Sequence, residues 1–61
     1  MMNLVTNIRT DEEMDFDAAV MMMDDEIREE IHAEMAPCTA QEFMSAYVER
    51  HFEKYGEEFT I

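Results

Sequence analysis

The chain has 61 residues, 16 of them acidic and 4 basic, for a net charge of -12. That balance argues against direct nucleic-acid binding and against an anionic membrane surface, since both contacts rest on Lys and Arg. A single cysteine, Cys38, excludes an internal disulfide, and the longest uncharged apolar run, residues 18–23, is too short to span a bilayer.

So short a chain buries a small fraction of its surface, and small domains obtain extra stability from disulfides, metals or self-association. Cys38, His32 and His51 lack the paired spacing of a closed zinc site, which leaves self-association. Leu, Ile, Val and Phe total 12 of 61, at the border of disorder for a charged chain, and eight methionines and two tyrosines tip it toward folding.

The start, "MMNLVTNIRT", has no basic region ahead of a sustained apolar stretch, so a cytoplasmic protein is expected. Residues 1–10 read as an extended arm. At "TDEE", Thr10 and Glu13 form a capping-box pattern, with Asp15 and Asp17 as later candidate caps. Phe16, Val20, Met23, Ile27, Ile31 and Met35 then recur at steps of three and four, predicting one amphipathic helix over about 11–36 that stops before Pro37.

In "CTAQEF", Thr39 suits an N-cap, Glu42 the third helical position, and Cys38 and Phe43 a hydrophobic staple. Met44, Tyr47, Val48, His51, Phe52 and Tyr55 make one stripe, and Gly56 sits where a helix-ending glycine belongs, predicting a second helix over 39–55 with a tail at 56–61. The expected fold is all-α: one small helical domain, a two-helix hairpin with extended termini, pairing as a homodimeric four-helix bundle. Its expected dimer interface comprises Met21, Met22, Phe43, Met44, Tyr47 and His51. Met21, Met22 and Met23 spread over about 200° of a helix, so they suit core and partner contacts better than a metal-binding methionine box.

Glu29 and His32 have the spacing of a diiron-bundle ligand pair, but their phase places Glu29 opposite Ile27 and Ile31, on the solvated side. They are weak metal candidates, and no cofactor is expected. Around Cys38 and Ser45 no base, orienter or oxyanion motif is recognisable, so the chain reads as non-enzymatic. Carboxylates stand out instead: Glu26, Glu30 and Glu34 form a row on helix one, and Glu42, Glu49 and Glu53 fall on one side of helix two. Like charges so placed cost stability. They serve solubility or imitate a phosphate track for a basic protein partner, in which case the helical row should matter far more than Asp11, Glu12 and Glu13.

The segment "MDDEIREEIHAEMAPCTAQEFMSAYVERHFEKYGEEF", residues 23–59, resembles small uncharacterised proteins of gut-bacterial mobile elements, and the chain is similar in composition to phage DNA-mimic inhibitors. Neither resemblance assigns a residue role. The expected function is a small interaction protein, an inhibitor or adaptor engaging a basic surface of a nucleic-acid-handling protein. The alternatives are a self-assembling structural subunit without other ligand and a metal-binding helical bundle.

Overall fold

A computed structural model describes residues 3–61; Met1 and Met2, the start of the expected arm, lie outside the described residues. The β-branched Val5 and Thr6 favour extended backbone, and strand β1 (Leu4–Asn7) pairs antiparallel with β2 (Glu12–Asp15). Val5 faces Met14 across the ladder and both are buried, while Thr6 and Glu13 pair on the opposite face. Asn7, wholly buried, builds the turn: its Oδ1 accepts the Arg9 amide at 3.0 Å and the Thr10 amide at 3.3 Å. Asp11 adopts a left-handed φ of 63°, a conformation that a short polar side chain tolerates. Its amide closes the turn on the Asn7 carbonyl at 2.7 Å.

This hairpin corrects the expected helix start. Thr10 does not cap a helix, and its hydroxyl is buried without a hydrogen-bond partner among the described residues. Residues 12–15 take their backbone partners from β1, and Asn7 Oδ1 accepts the Thr10 amide that a capping box would have given to Glu13. Asp15 is the cap actually employed, accepting the Ala18 amide for helix α1 (Phe16–Met22).

The long helix one is also broken. Met23 turns extended, Asp24 caps a new helix α2 (Asp25–Met35), and Ala36 ends it before Pro37. The Asp24 carboxylate accepts the Glu26 and Ile27 amides at 2.9 and 3.2 Å, and the Asp24 amide donates to the Tyr47 hydroxyl at 2.9 Å. The Asp24, Glu26 and Ile27 amides at the break are thereby satisfied. The apolar period runs through it because α1 and α2 bury their stripes against one core.

Helix α3 (Ala40–Tyr55) begins with both bonds of the Thr39–Glu42 capping box and ends at Gly56, whose φ of 70° is left-handed. The tail then folds back. Phe59 is buried edge-on against Tyr47, with ring centroids 4.8 Å apart, and its carbonyl accepts the Asn7 amide side chain at 2.9 Å. Arg9 adds a bidentate pair to Glu58 at 2.8 and 3.1 Å, and His51 Nδ1 donates to the Glu57 carbonyl at 3.0 Å. On the outer edge of β1, the Gln41 amide bonds both backbone groups of Thr6 at 2.8 Å, covering an edge that would otherwise invite strand pairing.

The fold is therefore a two-stranded antiparallel sheet with three helices, and not an all-α hairpin awaiting a second copy. Val5, Met14 and Phe59, from the segments expected to be arm, cap and tail, close the core over Ile27, Ile31, Met44 and Val48. Met44 and Tyr47 are 0% and 1% exposed, so they offer no surface to a dimer. The four-helix bundle is not needed to complete the core.

Candidate partner-binding surface

All four basic side chains are engaged by carboxylates. Arg50 of α3 reaches across to α2 and pairs with Glu30 and Glu34, each at 2.8 Å. Lys54 lies 3.5 Å from both Asp24 and Glu26, Arg9 joins Glu49 at 3.7 Å besides Glu58, and Arg28 binds Asp25 at 2.9 Å. The row of Glu26, Glu30 and Glu34 is thus one side of an inter-helix ion-pair network. Hydrogen bonds from Arg50 hold the Glu34 carboxyl below its usual range. Of the other helical carboxylates, Glu42 is spent on the capping box, Glu49 meets Arg9, and Glu53 has no ion pair among the described residues.

The densest run of uncompensated charge lies elsewhere. Asp11, Glu12, Glu13, Asp15 and Asp17 fall within the seven positions 11–17 of the turn, β2 and the first turn of α1, and none meets a cation among the described residues. Asp11, Glu12, Glu13 and Asp17 are exposed. Read locally, this run is a helix-capping signal; the hairpin spreads it over a surface.

Beside the same α1 lies an open groove of about 860 Å³. It is lined by Phe16 and Val20 of α1, Arg28, Glu29 and His32 of α2, the connection 36–39, and Ala40 and Phe43 of α3. The Phe16 and Phe43 rings meet edge to face at 5.8 Å. Glu29 and His32 are brought to one groove, yet among the described residues no three His, Cys, Asp or Glu side chains converge as a metal-binding group. Met21 and Met22 are 85% and 64% exposed, whereas His51 packs between Tyr47, Tyr55 and Phe59. Among the described residues no helix is long and apolar enough to cross a membrane.

Asp24 is a structural group that sequence reading passes over, although "DDEI" after the methionines carries an N-cap signal. The Tyr55 hydroxyl, the Ile27 amide and the Lys54 charge lower its carboxyl from 3.8 to about 2. A depressed folded-state value contributes stability fully present above pH 3.8 and lost as pH falls toward about 2. Thermal midpoints followed by circular dichroism should therefore fall less steeply across that window in Asp24→Asn than in the parent. Parallel curves would remove Asp24 from the acid transition.

No curated protein matches the chain. A family model described as Anti-CRISPR protein AcrIC5 matches residues 11–59, which run from the hairpin turn through α1, α2 and α3 to the buried Phe59. With 49 of its 61 residues matched, from the uncompensated carboxylates to the aromatic that closes the core, the chain belongs to the anti-CRISPR AcrIC5 family.

Proposed function

We propose that the protein is a non-enzymatic inhibitor that binds a DNA-handling component of a CRISPR effector complex, its carboxylates occupying a basic groove meant for nucleic acid. The observation that carries this reading is the run of uncompensated acids from Asp11 to Asp17 in a chain of net charge -12 that belongs to an anti-CRISPR family. RNA-guided effectors hold nucleic acid in positively charged channels and contact its backbone rather than its sequence. A surface of carboxylates supplies similar charge without presenting bases. The β-ladder and the Asn7 turn hold that surface in place, which lowers the entropy cost of docking. Inhibition by occupancy is stoichiometric and takes place in the host cytoplasm, where the effector meets DNA.

The test is competition. Effector complex preincubated with an equimolar amount of the protein should no longer shift its target DNA on a native gel, and excess DNA added first should protect the complex. Simultaneous binding of both ligands, or inhibition far below equimolar amounts, would overturn the reading.

A further inference from the structure

We infer that the groove between α1, α2 and the first turn of α3 docks an apolar side chain of the effector protein that is flanked by Lys or Arg. This deepens the inhibitor reading and rests on it for the identity of the partner. Phe16, Val20, Ala40 and Phe43 supply an apolar part of the lining of this open groove of about 860 Å³, within the size range of ligand-binding clefts. Charge complementarity selects the occupant. Glu29, which lines the groove, has no cation partner among the described residues, and Arg28, which lines it too, is paired with Asp25 at 2.9 Å. A second copy of this chain would bring another -12 to the same place, so the fitting partner is basic.

Position points the same way. Helix α1, whose Phe16 and Val20 line the groove, follows β2 without a loop, so Phe16 is the first residue after the acidic strand. Exposed charges are screened within about 8 Å at physiological salt. An aromatic or aliphatic anchor in a pocket beside them adds affinity that salt does not remove.

Two peptides probe the groove directly: acetyl-Lys-Trp-Lys-amide and acetyl-Glu-Trp-Glu-amide, titrated into the isotopically labelled full chain by amide NMR. The basic peptide should shift signals of Val20, Cys38 and Phe43, with affinity at least tenfold above that of the acidic one. Glu29→Lys, an exposed change, should erase most of that preference, and Cys38→Trp should fill the groove and abolish the shifts. Equal affinities for the two peptides, or shifts elsewhere, overturn the docking site whatever the effector does. On the effector complex, Cys38→Trp should lose the binding that survives about 0.5 M salt. Parent-like retention of that binding would overturn the groove as a contact while leaving DNA competition intact. Failure of DNA competition with the basic peptide still docking would instead locate the error in the inhibitor reading.

Discussion

Replacing Asp11, Glu12 and Glu13 by Asn, Gln and Gln should weaken binding to the effector complex about 100-fold, because each carboxylate facing a basic groove contributes on the order of 1 kcal/mol. The fold should survive. Asp11 holds a left-handed φ of 63°, which Asn tolerates as well, and Glu12 and Glu13 are exposed. The matched variant Glu26→Gln, Glu30→Gln, Glu34→Gln removes the same formal charge but should cost roughly tenfold or less. Arg50 and Lys54 already offset that row, and its exposed ion pairs are each worth about 0–1 kcal/mol in stability. This order reverses the one expected from helical spacing, because only the folded chain shows which acids have cations beside them. Calorimetric titration of both variants, with circular dichroism as a check on folding, decides it. Equal losses, or a larger loss for the α2 row, would count against the hairpin as the partner-facing surface.

The largest stability effect is expected at Asn7. Replacement by alanine leaves the Arg9 and Thr10 amides and the Phe59 carbonyl without their partner and opens a void at a fully buried position. Orphaning buried polar groups costs about 1–3 kcal/mol each, and partial access to water limits the sum to roughly 3 kcal/mol. A chain of this length has a total stability of only about 3–9 kcal/mol at typical per-residue values. Asn7→Ala should therefore shift the urea midpoint far toward water and leave a measurable unfolded fraction at body temperature. Asn7→Asp keeps one acceptor but aims a carboxylate oxygen at the Phe59 carbonyl, and should be as damaging. A loss below about 1 kcal/mol would mean that turn and tail are held mainly by Val5, Met14 and Phe59.

Some of this molecule is legible from residues three or four apart. The Thr39 and Glu42 pair, the stripe ending at Tyr55 and the left-handed Gly56 are local features, and α3 follows from them. The stripe Phe16, Val20, Met23, Ile27, Ile31 and Met35 identifies core positions, but it does not say that the backbone between Met22 and Asp25 leaves the helix. A periodic pattern reports which side faces the core, and two short helices on one core keep the phase of a single long one.

By itself, the sequence determined the electrostatic character, the impossibility of an internal disulfide, and the helix whose caps lie within a few residues of its ends. Tertiary structure decided the rest through partners far away along the chain. Asn7 meets Phe59 across 52 residues, Asp24 meets Tyr47 across 23 and Tyr55 across 31, and Arg50 neutralises Glu34 across 16. Those contacts turn a capping signal into a strand, divide a helix at Asp24, and choose which carboxylates remain uncompensated. The physical reason is that a backbone amide or a carboxylate takes whichever satisfied partner the whole fold provides, and local propensity, worth a few tenths of a kcal/mol per residue, yields to it.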